Sequence, residues 1–383
     1  MNKEFDIIAS TTFGMEYVVK KEAEKLDFED IEVSNGRVQF TGGFEDIAKA
    51  NIWLRSAERV YILLDEFKAY DFDTLYEKTK SIDWSELMPK DAEFPVSGSS
   101  VKSTLHSVPT CQSLIKKAVV DNMKERYHKD WFDEDGPKFK INFSIYKDKV
   151  SIMLDTSGSG LHKRGYRELS TDAPLQETIA AGMIYLSRWD KDRILIDPFC
   201  GSGTILIEAA MMAKNQAPGL YRDFAAERWP VFPVNAWNKV KREARSKIED
   251  VEPRLLMGTD INENVISKAR HHAEKAGVSD IIHFQKKSFS DFSSSRNYGY
   301  IITNPPYGER LSEKDKVESL YKEMGEKLSD LDTWSFYILT SHGDFEKLFN
   351  DKASKRRKLY NGGIECQFYQ YYGPWPSSDN ENK

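Results

Sequence analysis

The sequence predicts an α/β protein in which an α+β N-terminal half precedes a parallel sheet covered by helices on both faces. Three observations carry this. The first 67 residues read strand, helix, hairpin, helix, strand. From about Leu161 the rhythm becomes strand alternating with helix, the pattern of a parallel sheet with crossover helices. Within that region the short apolar strand 194–196 ends at Asp197 and opens into a glycine-rich turn before a helix, the shape of a Rossmann-like ligand site.

Taken in order, residues 5–8 read as a strand and 14–26 as an amphipathic helix with Met15, Val18, Val19 and Ala23 inward. Residues 31–40 form a hairpin about Asn35-Gly36, a dipeptide that tolerates the positive φ angles of a tight turn. A helix over 44–54 and a strand over 59–67 complete a β-α-β-β-α-β order, the ferredoxin-like arrangement, and set a first domain at 1–67. A second α+β unit occupies 68–160. It has a helix over 72–81 capped by Asp71 or Asp73, a strand over 94–100, and a long helix over 109–127 with Pro109 in its first turn. Strands 138–146 and 149–155 then flank a Lys147-Asp148 turn. Thr156-Ser157-Gly158-Ser159-Gly160 breaks the pattern and marks a linker. The third domain is 161–383, with strands expected at 194–196, 255–259, 281–285, 300–303, 334–339 and 367–372. Residues 215–237, rich in proline and aromatics, interrupt the alternation as a functional loop or as a lid packed on the sheet. The end, 376–383, reads as disordered.

Hydrophobic residues make up 40% of the chain and charged residues 30%, which fits a folded globular protein and excludes a disordered one. No apolar run is long enough to span a membrane, and residues 1–6 lack the apolar segment of a signal peptide. Three cysteines, far apart, argue against a disulfide framework or a cysteine-based metal site, so no metal and a reducing cytoplasm are expected. A net charge of −6 excludes indiscriminate coating of nucleic acid but leaves room for a local basic face.

The turn Asp197-Pro198-Phe199-Cys200-Gly201-Ser202-Gly203-Thr204 needs its glycines because a side chain would keep a ligand off the backbone. It lacks the Lys-Ser/Thr of a P-loop and the third glycine of a pyrophosphate binder. Asp260 ends the next strand, where a carboxylate can hold a ribose diol; the lesser alternative is a cap on the helix that follows. Asp197 is placed to meet the ligand's amino-acid part.

These motifs, with Gly258-Thr259-Asp260-Ile261-Asn262 and Thr303-Asn304-Pro305-Pro306-Tyr307-Gly308, resemble a class I S-adenosylmethionine-dependent methyltransferase. The resemblance is to the branch that carries an N-terminal THUMP domain and modifies guanine N2 in RNA, and it extends over almost the whole chain. Gly160-Leu161-His162-Lys163-Arg164-Gly165-Tyr166-Arg167 resembles that branch's junction, and Ala173-Pro174-Leu175-Gln176-Glu177-Thr178 its motif before the first strand. The resemblance implies a cofactor set of Pro174, Leu175 and Thr178 beside the methionine end, with Asp197, Phe199, Gly201, Gly203, Thr204, Asp260, Ile261 and Asn304. One departure stands out: where the branch often places an acid against adenine, this chain has Ser288, so adenine contact falls to Ser288, Phe289 or backbone groups.

Asn304-Pro305-Pro306-Tyr307 follows a strand, at the carboxyl end where open α/β sheets bind ligands. The Asn304 side-chain oxygen and the Pro305 carbonyl can accept hydrogen bonds from a planar amino group, and Tyr307 can stack on a flipped base. Carbon methylation of a pyrimidine would need a cysteine nucleophile, and this motif has none. The motif alone does not choose among adenine N6 in DNA, guanine N2 in RNA and glutamine in protein. The choice rests on the N-terminal half, where the resemblance, more than any charge, implies RNA. Its window 101–129 is basic through Lys102, Lys116, Lys117 and Lys124, among others. His162, Lys163, Arg164 and Arg167 at the junction are expected to position RNA, and Lys355-Arg356-Arg357-Lys358 reads as a basic turn. The expectation is a cytoplasmic, monomeric RNA methyltransferase acting on guanine N2, in 23S ribosomal RNA or a ribosomal precursor. Transfer RNA is the nearest alternative substrate, and an inactive RNA-binding assembly factor the alternative of another class.

Overall fold

The computed structural model describes residues 3–169, 175–252, 255–308 and 314–376. Two compact units emerge. One comprises Met1–Thr11, Val19–Leu161 and Arg222–Glu243; the other comprises Thr12–Val18, His162–Tyr221 and Ala244–Lys383.

In chain order the N-terminal elements are Phe5–Ser10 (β1), Glu16–Lys25 (α1, of the first unit from Val19), Glu29–Ser34 (β2), Arg37–Gly42 (β3), Phe44–Trp53 (α2) and Arg59–Lys68 (β4). The first unit continues with Phe72–Lys80 (α3), Val96–Val101 (β5), Val108–Tyr127 (α4), Ile141–Tyr146 (β6) and Lys149–Asp155 (β7). The hairpin turns at Asn35-Gly36 as expected, with Gly36 at φ +74. Asp71 is the cap of α3, its carboxylate accepting the Thr74 N–H at 2.7 Å. The two α+β segments share one sheet, in the order β2-β3-β1-β4-β7-β6-β5. The reason is the length of β4. Its first half pairs with β1, as Ile62 does with Ile7, and β7 pairs along it from Tyr61 to Lys68. Ile7, Phe40, Ile62 and Leu154 fill the core beneath.

The expected linker is not loose. Thr156 and Ser157 are fully buried. Thr156 Oγ1 donates to the Val60 carbonyl at 2.7 Å, Ser157 Oγ donates to Asn51 Oδ1 at 2.6 Å, and Asp155 accepts the N–H groups of Ser157 and Gly158. Small polar residues here satisfy buried backbone groups rather than confer freedom. The aromatic interruption also differs from expectation. Residues 222–243 pack within the first unit, not as a lid on the parallel sheet. Trp229 stacks on Phe139 at 4.3 Å and donates from Nε1 to the Lys138 carbonyl at 2.9 Å, while Phe232 meets Phe44 edge-on at 4.8 Å. Trp229→Ala is therefore expected to destabilise the protein by about 3–5 kcal/mol, as loss of a buried indole does elsewhere. Urea unfolding checks this; unchanged stability with an altered KM would restore the lid.

The second unit contains Glu177–Ser187 (α5), Leu195–Asp197 (β8) and Thr204–Ala213 (α6). After Ala236–Ser246 (α7), which belongs to the first unit as far as Glu243, come Leu256–Asp260 (β9), Glu263–Lys275 (α8), Ile282–Lys286 (β10), Tyr300–Thr303 (β11) and Lys314–Leu328 (α9). Ser335–Thr340 (β12), Phe345–Phe349 (α10), Lys355–Asn361 (β13) and Ile364–Tyr371 (β14) close it. The sheet order is β10-β9-β8-β11-β12-β14-β13, parallel from β10 to β12 and antiparallel at the β14 and β13 end. Residues 355–358, expected as a basic turn, instead begin the edge strand β13; lysines on an edge discourage further strand pairing. Helix α6 is apolar apart from Thr204 and Glu208 and is buried along nearly all its length, which seats the glycine turn before it on the sheet. The chain leaves β8 toward β9 and β10 on one side and returns to β11 on the other. The crevice at their carboxyl ends is thus a topological switch point, where such sheets bind ligands. Among the described residues no helix is long and apolar enough to cross a membrane.

Candidate active site

The glycine turn is shaped by two different demands. Gly203 has φ +85, and a Cβ there would lie 2.8 Å from Phe284 Cζ and 3.1 Å from Ala269 Cβ, so any side chain would push α6 off β10 and α8. Gly201 has φ +50, and a Cβ there would meet nothing within 4 Å. Open space above a bare backbone is what a cofactor needs. Cys200 is buried and closes the turn, its N–H donating to the Thr259 carbonyl at 2.9 Å.

Asp197, at the end of β8, is 2% exposed. Its Oδ1 accepts the Thr303 hydroxyl at 2.6 Å and the Phe199 N–H at 3.1 Å. It therefore ties the end of β8 to the end of β11. Burial pushes its carboxyl up to about 7, Asp260 adds to the rise, and the two hydrogen bonds oppose it. A raised carboxyl favours the protonated fold, so stability from this group is lost as the pH climbs toward about 7. A cationic ligand reverses this by favouring the carboxylate. Affinity for S-adenosylmethionine is accordingly expected to rise as the pH climbs toward about 7 and to level off above it, and Asp197→Asn to flatten that slope. Calorimetric titration across this range checks it; a level profile in the unaltered protein would separate Asp197 from the ligand's positive end.

Asp260 ends β9, half-exposed. Its Oδ2 accepts the Gly201 N–H at 3.1 Å and its Oδ1 the Asn262 N–H at 2.9 Å, and each oxygen keeps a second acceptor position. Asn262, not Asp260, caps α8, accepting the Asn264 N–H. Beside it Ile261 is 70% exposed, an apolar face suited to a purine. The Phe289 ring is 4% exposed and stacks on Phe199 at 5.1 Å, so Phe289 has only backbone to offer a ligand. Ser288, half-buried just past β10, accepts from Ser290 Oγ at 2.8 Å. Leu175 is buried in one core cluster with Cys200 and Ile205; Thr178 is buried in α5; Pro174 lies outside the described residues.

At the end of β11, Asn304 is half-exposed, Pro305 buried and Pro306 exposed. Tyr321 of α9 donates to the Pro306 carbonyl at 2.6 Å and lies 2.9 Å from Thr340 Oγ1, which stiffens the turn and does not involve the Pro305 carbonyl. Tyr307, half-buried, donates its hydroxyl to Asn304 Oδ1 and receives Cys366 Sγ at 3.6 Å. Burial pushes the Tyr307 hydroxyl well above the usual tyrosine range, so it stays a donor. Asn304 Oδ1 retains a second lone pair for a ligand amine.

The residues assigned to RNA divide. Lys102 is exposed at φ +53, Lys163 is exposed, and His162 and Lys124 are half-buried. Lys116 pairs with Glu134 at 2.7 Å and lies 3.6 Å over the Phe94 ring; Lys117 lies 5.5 Å over Tyr76. Arg164 corrects the expectation outright: it is 5% exposed and forks onto Glu208 at 3.2 Å through each of two nitrogens, leaving no face for phosphate. Arg167 likewise turns inward, onto Thr204 Oγ1, the Leu175 carbonyl and Glu177. Glu208 and Tyr321 escaped the sequence reading, and it gave Glu177 and Cys366 no role of their own in the site. Glu208 left a trace: a lone acid in an otherwise apolar helix must be paired.

Residues 164–370 match the family of RMKL-like methyltransferase domains, 6–61 the RlmL ferredoxin-like domain and 69–155 the THUMP domain. YpsC of Bacillus subtilis (strain 168), whose name places it provisionally among RNA methyltransferases, is 46% identical over 372 residues, covering 97% of this chain and 96% of that protein. A structure from Listeria monocytogenes str. 4b F2365, described as a predicted N6-adenine-specific DNA methylase, is 45% identical with 97% of each chain covered and a TM-score of 0.92. SMU.472, designated provisionally a methyltransferase and solved with SAH, is 42% identical, covers 98% of this chain and 100% of that one, and has a TM-score of 0.92. S-adenosylmethionine is the cofactor, and the open cradle at Gly201, the Asp260 carboxylate and the exposed Ile261 fit it. The chain belongs to the RMKL-like methyltransferase family, its catalytic domain preceded by an RlmL ferredoxin-like domain and a THUMP domain.

Proposed function

We propose that the protein methylates the exocyclic N2 of guanine in RNA, with large-subunit ribosomal RNA, free or in a precursor particle, as its substrate, and that it works as a cytoplasmic monomer. Residues 1–67 and 68–160 then serve recognition and 161–383 catalysis. The observation that carries the chemistry is the Thr303–Asp197 hydrogen bond, which holds the root of Asn304 beside the glycine turn. S-adenosylmethionine supplies an electrophilic methyl carbon. An exocyclic amine is a poor nucleophile because its lone pair is conjugated into the ring. Asn304 Oδ1 and the Pro305 carbonyl accept its two hydrogens, favour a pyramidal nitrogen and aim the lone pair. The rigid Pro-Pro turn, pinned by Tyr321, keeps that aim. Tyr307 offers a face to the flipped base. No strong base is required, since the alkylated nitrogen loses its proton readily.

The RNA substrate is supported by the THUMP match and by the name of YpsC. Guanine N2 and ribosomal RNA rest on the resemblance in motifs. The description of the Listeria structure favours a second reading, adenine N6 in DNA, because the same turn would hold that amine. The test is methyl transfer from labelled S-adenosylmethionine to total RNA from a strain lacking the protein, followed by nucleoside digestion. Label in N2-methylguanosine of ribosomal RNA is expected. Label in another nucleoside, in transfer RNA, or in DNA alone would overturn the corresponding part.

A further inference from the structure

We infer that Arg167 is a positioning residue for the cofactor pocket and not a contact to RNA. Its guanidinium reaches three groups. One terminal nitrogen donates to the Leu175 carbonyl at 3.0 Å and to Thr204 Oγ1; the other lies 3.3 Å from Glu177 Oε1. Thr204 is the first residue of α6, directly after Gly203, and Leu175 and Glu177 flank the start of α5. A single planar cation thus fastens the end of the glycine turn to the start of α5. Leu175 and Cys200 share one core cluster, so these two pieces pack into the same core beneath the glycine turn. The fork matters because its donors are fixed relative to one another, whereas an ammonium on a flexible stem would set only a distance.

The surroundings support this. Arg164 forks onto Glu208, one turn along α6 from Thr204, and the Tyr166 hydroxyl donates to the same carboxylate at 3.4 Å. His272 lies with Nδ1 3.3 Å from the Ser202 carbonyl and accepts the Leu169 N–H at Nε2 at 3.3 Å. Residues 164–169 therefore form a brace along the turn and its helix. Arg167 reaches α5 directly through Glu177, and its side chain is only 17% exposed. Held this way, the turn presents its backbone to the cofactor in one geometry.

The test uses the full-length protein and the variants Arg167→Ala, Arg167→Lys, Thr204→Val and the Arg167→Ala/Thr204→Val double variant. Arg167→Ala is expected to raise the Kd for S-adenosylmethionine about tenfold or more, the loss of hydrogen bonds to a charged group. Arg167→Lys, keeping one donor, recovers part of it. The double variant is expected to weaken binding by less than the product of the two single effects, because both remove the same bond. RNA affinity stays within about twofold in every variant, as suits a cation turned away from solvent. A lowered Tm with unchanged cofactor Kd would reduce Arg167 to a structural residue and overturn the proposal. So would a loss of RNA affinity with cofactor binding intact. Should Arg167→Ala not fold, Arg167→Lys and Thr204→Val carry the same decision. The readout is cofactor binding, so failure of the guanine-N2 reading leaves this inference standing.

Discussion

Asn304→Ala will lower methyl transfer by about a hundredfold or more while the Kd for S-adenosylmethionine stays within about twofold, as expected when one aligned hydrogen-bonding group is lost at a reacting centre. The size follows from what Oδ1 does. It is the side-chain acceptor of the turn, fixed by the Tyr307 hydroxyl on one lone pair and open on the other. Alanine removes the acceptor that draws on the amine and also takes from the Tyr307 hydroxyl the group to which it donates, leaving it the contact with Cys366 Sγ. Asn304→Asp discriminates further, because it keeps an oxygen in place and replaces only the amide nitrogen. Appreciable transfer by the aspartate variant beside near-silence of the alanine variant would identify acceptance from the amine as the contribution. Rates at saturating cofactor, with cofactor affinity measured separately, check this. Equal losses of rate and cofactor affinity would move Asn304 into the cofactor wall and remove its assigned role.

The parts of the fold that the sequence discloses are those governed by neighbours along the chain. Asn35-Gly36, the Asp71 cap and the strand 300–303 are each written in a few consecutive residues, and each stands where expected. The glycine turn is legible for the same reason: its positive φ angles and open approach require glycines in one short run. Pairing between distant segments is not. Nothing local reveals that β4 continues past β1 to meet β7, which joins two apparent units in one sheet. Charge misleads in a consistent way. Lys355 to Lys358 look like a solvated turn, yet an edge strand wants those same residues. Arg164 and Arg167 look like a basic junction, yet their partners Glu208, Thr204 and Leu175 lie 8 to 44 positions away in sequence. Composition reports that a cation is present; only the fold says whether it faces water.

Asp260→Ala is expected to weaken S-adenosylmethionine binding by about a hundredfold or more, since two hydrogen bonds from a ribose diol to a carboxylate are each of the stronger, charge-assisted kind. Part of the loss is indirect. The carboxylate also accepts the N–H of Gly201 at 3.1 Å and of Asn262 at 2.9 Å, so it joins the glycine turn of β8 to the start of α8. Removing it frees both amides and lets the cradle widen. Asp260→Asn separates the two roles. Its amide oxygen can still accept one backbone N–H, but its nitrogen can only donate, so one diol contact and one loop contact are lost together. A cofactor analogue lacking the 2′-hydroxyl then isolates the ribose term. Against the unaltered protein it should bind far more weakly than S-adenosylmethionine; against Asp260→Ala the two should bind alike. If the analogue and the cofactor still differ by the same factor in Asp260→Ala, the diol is held elsewhere. Asp260 would then serve only to brace the turn, and its role would join that of Arg167 in shaping the pocket from behind.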